Sequence, residues 1–511
     1  MRLGVDFGTT RTVVAGQEGG NYPIHSFSWK GELKEYIPSV VAAKGESLYF
    51  GWEALDLLAE PDAFVLRSLK RLAGYLRPED PLDLGPDSSL TMLDAVTLFL
   101  SHVKGMILKH SNIPLRKKTP LEVIVATPAN ANSNQRYITL EAFKRAGFNV
   151  LAAMNEPSAA GVEFLHRYLK NMGPKSPKKY VAVYDLGGGT FDTSVVGIQE
   201  HHHDVVAHEG IARLGGDDFD EVILDLVLEE AGVTRHNLSP SDLTRLLEEC
   251  RERKEGLKAN TRKMVVDLGA VIKGKRPVVL ETALVYDRCK PLIESSLDSL
   301  QRLLRHVGDH PEDNRSLAAV YLVGGSVAFP PVSRILRDVY PNKVKTSPFP
   351  HAATAIGLAV AADPETCIKV QEAVSRYFGL WRERGRDKCF DPIFLKDRKV
   401  DFDTGRLKVS RTYRPVHNIG LLRYMECSAL GEEGEPEGDI ALWKDVYFPY
   451  DPGLRNRKDL RRVPVQVLPE LSSQEVIETY EYDEQGLIRV EIENRTSGYR
   501  KHFNLGPENG T

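Results

Sequence analysis

The 511-residue sequence predicts an α/β domain over residues 1–362, a linker over 363–376 and a β-rich, sandwich-like domain over 377–511. Three observations predict this division. Up to about residue 360, short apolar runs alternate with amphipathic helical stretches, the pattern of an α/β architecture. Two of those runs enter the same kind of turn, "GVDFGTTRTVVAG" near the start and "VYDLGGGTFDTSVVG" near the middle, so the region reads as two related halves facing one ligand. Beyond Asp363-Pro364 helical periodicity fades, and "VIETYEYDEQGLIRVEIENRTSGYRKHFNL" alternates in period two across a Glu484-Gln485-Gly486 turn, as a β-meander does.

Taken in order, the first turn joins two strands. Residues 90–110 and 134–146 read as helices, separated by a buried strand over 121–126 that Thr127-Pro128 ends. The second turn, Gly187-Gly188-Gly189, again joins two strands. Helices follow over 217–230, 241–258 and 284–307, then a strand over 319–323 runs into Gly324-Gly325-Ser326. A helix after Pro330-Pro331 and a small-residue helix over 352–362 close the region. The segment 366–376, "TCIKVQEAVSR", reads as the end of a helix.

Composition narrows the function classes. Hydrophobic residues at 42% and charged residues at 27% fit an ordinary globular protein. A net charge of −4 offers no basic footprint for nucleic acid. No apolar run approaches the roughly 20 residues of a membrane span, and no signal-peptide pattern opens the chain. Five cysteines, widely spaced with no CxxC pair, read as free thiols (Cys250, Cys289, Cys367, Cys389 and Cys427). The expected location is the cytoplasm, with neither nucleic acid nor membrane as partner.

The turns carry the chemistry. A glycine turn between strands can present backbone N–H groups to an anion, because glycine has no Cβ to block the approach. Gly8 with Thr9 and Thr10, and Gly187, Gly188 and Gly189 with Thr190, therefore read as two phosphate cradles. Aspartates beside an anion site call for a cation. Mg²⁺ is held through its waters by carboxylates and phosphate oxygens together, which assigns Asp6 and Asp185 as water-mediated magnesium holders. Gly324, Gly325 and Ser326 form a third turn where backbone can approach a nucleotide closely. A dinucleotide fingerprint is disfavoured, since it needs a helix directly after the glycines.

The ordered series "GVDFGTT", "RSLKRLAG", "VIVATPANANSNQR", "NEPSAAG", "VYDLGGGTFDTSVV", "RLGGDDFD" and "VYLVGGS" resembles the actin-like (ribonuclease H-like) ATPase superfamily. Within it, the chain is similar to the seventy-kilodalton heat-shock chaperones of the DnaK type. The last strands of the β-rich region resemble that family's peptide-binding sandwich. The resemblance implies a two-lobed ATPase binding ATP or ADP with Mg²⁺, and a β-domain that binds polypeptide. It implies that Lys70, in "SLKRLAG", is the catalytic lysine and that Glu156, in "NEPSAAG", positions magnesium and water. Thr190 and Asp185 complete the implied catalytic set, with Asp192 as a supporting carboxylate. Gly215, Gly216 and Lys254 join the nucleotide contacts, and Pro128 and Arg136 fall on residues that pass nucleotide state to the partner domain.

The chain also departs from the family pattern. The arginine that stacks on adenine becomes Glu255, and a following serine becomes Lys258. His351 replaces an acid in "FPHAATAIG", Ala152 stands where a basic residue docks J-domain co-chaperones, and no long helical lid follows the meander. The expected function is a Mg-ATP-hydrolysing chaperone-like protein whose partner is an unfolded polypeptide. The alternative is a nucleotide-dependent scaffold holding one dedicated partner, with little or no hydrolysis. A small-molecule kinase and a filament former are further alternatives. Finally, "EHHHDVVAHEG" places His201, His202, His203 and His208 on a surface hairpin, a poor geometry for one metal.

Overall fold

The computed structural model describes residues 1–60, 62–85, 90–112, 120–169, 176–198, 203–211, 213–269, 271–272, 274–308, 314–366, 368, 370–384, 387–401, 404–443 and 445–504. Internal contacts divide the chain into two compact units. One comprises residues 1–129 and 138–370, the other residues 130–137 and 371–511.

The first unit is built on two sheets of the same plan. In the first sheet, β1 (Arg2–Phe7) and β2 (Arg11–Gly16) form an antiparallel pair, and β3 (Glu122–Thr127) and β4 (Asn149–Asn155) extend it in parallel beyond β1. In the second, β5 (Tyr180–Leu186) and β6 (Phe191–Gly197) pair antiparallel and β7 (His203–Ile211) follows β6. On the other side of β5 lie β8 (Leu317–Val323) and β9 (Val344–Thr346), both parallel. Strands β5, β6 and β8 are buried along their whole length; β5 and β8 accordingly read as near-continuous apolar runs, whereas β6 also buries the polar Asp192, Thr193 and Ser194.

Four helices matter to the site: α1 (Leu69–Leu72), α2 (Glu156–Tyr168), α3 (Pro240–Glu255) and α4 (Ala353–Ala362). Small residues let α4 approach its neighbours. A Cβ on Gly357 would lie 1.8 Å from the carbonyl oxygen of Ala159 on α2, and one on Gly4 of β1 would lie 2.2 Å from that of Ala355. The alanine-rich composition of α4 is therefore a packing requirement.

Two expectations are corrected. The segment 366–376 is not a helix end: α4 stops at Ala362, ahead of Pro364, and Val370–Gln371 forms a short strand, β10, at the β7 edge of the second sheet. The helix reading followed from the alanine run before it, whereas the β-branched Ile368 and Val370 favour extended backbone. The histidine stretch is not simply a surface hairpin either. His201 and His202 lie outside the described residues, but His208 is buried on β7 opposite Ser194. Cys250, Cys289, Cys389 and Cys427 are free thiols, while Cys367 lies outside the described residues.

In the second unit, β11 (Tyr377–Arg384), β12 (Asp387–Phe394), β14 (Tyr424–Leu430) and β15 (Pro436–Leu442) form a sheet in the order β12-β11-β14-β15, and β13 (Leu407–Tyr413) belongs to another. That second sheet runs β13-β16-β17-β18, its last three strands being the expected meander: β16 (Val476–Tyr482), β17 (Ile488–Asn494) and β18 (Tyr499–Asn504). Side chains from both sheets fill one core, where Phe378 stacks on Tyr424 at 5.5 Å between centroids and Tyr480 meets Phe378 edge-on. Inside this core lies a buried charge: Glu478, fully excluded from solvent, accepts from Arg382 at 2.5 Å and from the Tyr480 hydroxyl. Among the described residues, no helix is long and apolar enough to cross a membrane.

Candidate functional site

The two glycine turns meet face to face. Gly8 donates its N–H to the carbonyl of Arg11 at 3.1 Å, and Gly187 donates to that of Thr190 at 3.0 Å, so each hairpin closes alike. A Cβ on Gly188 would lie 2.4 Å from the Thr10 side chain, and one on Gly189 would lie 2.7 Å from that of Thr9. Gly188 and Gly189 are thus required by contact with the threonines of the opposite turn as well as by access for an anion.

The remaining predicted glycines lock onto this pair. Gly216 and Asp217 donate their N–H groups to the carbonyls of Gly187 and Gly188 at 3.0 and 2.7 Å, and a Cβ on Gly215 would strike the Gly188 carbonyl at 2.6 Å. Ser326 donates its hydroxyl to the Gly187 carbonyl at 2.8 Å. Gly324 adopts φ +86°, where a side chain is strained, with the Leu186 carbonyl 2.3 Å from a would-be Cβ. These turns line a cavity of about 260 Å³ together with Asp6, Glu156, Asp185, Thr190, Lys254 and Gly325. Pro128 and Arg136 do not line it. Pro128 follows the end of β3, and Arg136, in the second unit, donates to the Ser375 hydroxyl at 3.1 Å.

Lys70 stands beside the cavity. Its helix α1 follows Ser68, which holds left-handed φ of +59° and donates its hydroxyl to Asp217 at 3.1 Å. The ammonium is almost wholly buried, hydrogen-bonded to the Glu156 carboxylate at the first position of α2 and 3.8 Å from Asp6. Burial alone would lower its pKa, but the carboxylates of Glu156 and Asp6 outweigh that and raise it above the ordinary lysine value. Its neighbours are paired too: Arg67 with Glu248, and Arg71 with Asp218 at 3.1 Å and the Gly189 carbonyl at 2.6 Å.

The carboxylates are crowded. Burial pushes Asp6 up to about 7 against the pull of Lys70, with Glu156 adding repulsion. Asp185 is raised by burial and by the charges of Glu156, Asp192 and Asp6. One oxygen of Asp6 is buried without a hydrogen-bond partner. Such a set has unmet demand for positive charge, and it lies against glycine turns able to receive an anion.

The far wall is α3. Lys254 is buried, bonded to Asp220 at 2.7 Å and to the Gly216 carbonyl at 2.6 Å. Arg251 pairs with Asp217 at 2.5 Å and Asp220 at 3.4 Å. Glu255 pairs with Arg11, the residue that directly follows Thr10, at 2.5 Å. His351 also lines the cavity and meets Glu35 at 3.2 Å. Arg11, Arg251 and Asp217 were not singled out in the sequence, where the one available signal was Arg11's position next to the first turn.

The family model described as Hsp70 protein matches residues 96–374, more than half of the chain. This chain belongs to the Hsp70 family. The Chaperone protein HscA homolog of Pseudomonas aeruginosa (strain LESB58) is 31% identical over 533 aligned residues, covering 100% of this chain and 78% of that protein. The Chaperone protein HscA homolog of Acidithiobacillus ferrooxidans (strain ATCC 53993 / BNL-5-31) is 29% identical over 376 residues, 71% of this chain. The Chaperone protein DnaK of Mycoplasmoides gallisepticum is 30% identical over 372 residues, 70% of this chain. These last two matches span 58% and 59% of the relatives' own lengths. The mixed α/β unit followed by β-rich sheets is the architecture expected of an Hsp70 actin-like ATPase domain with a β-domain.

Proposed function

We propose that this Hsp70-family protein binds ATP with magnesium in the cavity between the glycine turns, hydrolyses the terminal phosphate, and uses nucleotide state to govern polypeptide binding by its β-rich unit. The observation that carries the reading is the buried Lys70–Glu156 pair set beside Asp6, Asp185 and the two facing turns. A lone lysine on a helix is ordinarily solvated, and burying one among carboxylates is costly unless it serves a site.

The residues fit magnesium. Asp6 and Asp185 are crowded carboxylates with raised pKa values, and they would hold the ion's water shell. When bound, the ion neutralises charge on the transferred phosphoryl group. The chain's own part is positioning. Thr9, Thr10 and Gly187 to Thr190 receive the phosphates, and Gly324 to Ser326 bring backbone close to the nucleotide. Lys70 and Glu156 orient the water, whose oxygen attacks the terminal phosphorus as the bond to the bridging oxygen breaks.

A binding module without turnover is the lesser reading, because a buried Lys70–Glu156 pair beside Asp6 suits positioning an attacking water. The test is ATP turnover by the full chain with and without an unfolded polypeptide. Acceleration by the polypeptide supports the chaperone cycle. Turnover indifferent to it would remove the coupling, and ATP binding without turnover would remove the enzyme.

A further inference from the structure

We propose that Arg11 supplies the planar cation against which the nucleobase stacks, with Glu255 holding that guanidinium in place. This rests on the nucleotide reading above and names a contact that reading leaves open. The cavity is chemically polarised. Asp6, Asp185 and the glycine turns are read as its phosphate end; the α3 wall adds Arg251, Lys254 and Glu255 to the lining, and the Arg11 side chain reaches from the first turn across to Glu255.

Three cations line that wall, and two are already committed. Arg251 is held by Asp217 and Asp220, and Lys254 is buried against Asp220 and the Gly216 carbonyl. Arg11 differs. Its guanidinium carbon sits 4.5 Å from the centroid of the Tyr36 ring, and Tyr36 packs in turn on Trp52 with centroids 5.0 Å apart. Glu255 anchors the guanidinium by one nitrogen at 2.5 Å while remaining half exposed itself. A guanidinium supported on one face by an aromatic ring and tied at its edge by a carboxylate keeps its second face for another π-system. Because Arg11 lines the cavity, that π-system is the base of the bound nucleotide. Arg11 follows Thr10 directly, so one short segment contacts both ends of the ligand.

The test is calorimetric titration of the full chain with Mg-ADP and with Mg-pyrophosphate, for the wild type, Arg11→Ala and Arg11→Lys. Loss of the stacked plane is expected to weaken Mg-ADP binding about fivefold in Arg11→Ala. Mg-pyrophosphate, which has no base, is expected to stay within about twofold of wild type. Arg11→Lys keeps the charge and the anchor to Glu255, so it serves where Arg11→Ala does not fold, and it should lose Mg-ADP affinity in the same selective way. Equal losses for both ligands would make Arg11 a phosphate contact and overturn the proposal, as would unchanged Mg-ADP binding. Wild-type protein that binds pyrophosphate but not ADP would overturn it while leaving the phosphate cradle standing. Wild-type protein that binds neither would refute the nucleotide reading itself.

Discussion

The ammonium of Lys70 is buried against the carboxylate of Glu156, two residues 86 positions apart that α1 and the first turn of α2 bring together. Glu156 is followed by Pro157 at the helix start, where the proline costs no hydrogen bond and the partial positive charge of the helix end favours a carboxylate. If this pair orients the attacking water, Glu156→Gln should lower single-turnover ATP hydrolysis by about 10²-fold. Its Mg-ADP affinity should stay within about threefold of wild type, since the glycine turns are untouched. Rapid-quench turnover and titration calorimetry measure the two quantities separately.

Gly324 tests the backbone part of the site. At φ +86°, with the Leu186 carbonyl 2.3 Å and an Asp185 oxygen 2.6 Å from a would-be Cβ, alanine cannot be accommodated without moving the end of β5. Gly324→Ala is expected to destabilise the first unit by about 1–3 kcal/mol and to weaken Mg-ADP binding. A thermal melt with and without ADP reads both effects.

The buried pair in the second unit makes a different prediction. Arg382→Ala leaves Glu478, fully buried, without its main counter-charge, at a cost of about 3–5 kcal/mol to that unit. Combining Arg382→Met with Glu478→Leu should recover most of the loss, because the second change removes the stranded charge. Urea denaturation followed by tryptophan fluorescence reports it, with Trp381 and Trp443 in this unit.

Acid sensitivity is expected from His25. Its ring is buried with neither nitrogen hydrogen-bonded, and burial lowers its pKa to about 4 from the usual 6.5. The unfolded chain therefore takes up a proton near pH 6.5 while the folded chain resists until about 4, so stability is lost as pH falls through that window and retained above it. The contribution is up to about 3 kcal/mol. His25→Leu should flatten the dependence of the melting temperature between pH 7 and 5.

Much of this was legible in the sequence because the decisive signals are local. A glycine turn announces itself by composition, and β5 and β8 announce burial on both faces by near-continuous apolar runs, whereas the burial of Asp192, Thr193 and Ser194 on β6 has no such signal. What stayed hidden depends on distance. Arg11 and Glu255 are 244 positions apart, and neither residue type alone hints that one sits on the other. The strand at Val370–Gln371 is two residues long and follows an alanine helix, so its extended form is set by the β7 edge it joins. His208 is polar, yet its register on an interior strand buries it.

On the proposed function, Lys70 completes a hydrolytic site. The most direct measurement is single-turnover ATP hydrolysis by wild type and Lys70→Ala, with ATP affinity determined alongside. Wild-type turnover is expected to fall by at least about 10²-fold in Lys70→Ala, with ATP still bound. Equal turnover in the two proteins, or a wild type that binds ATP and never cleaves it, would contradict it.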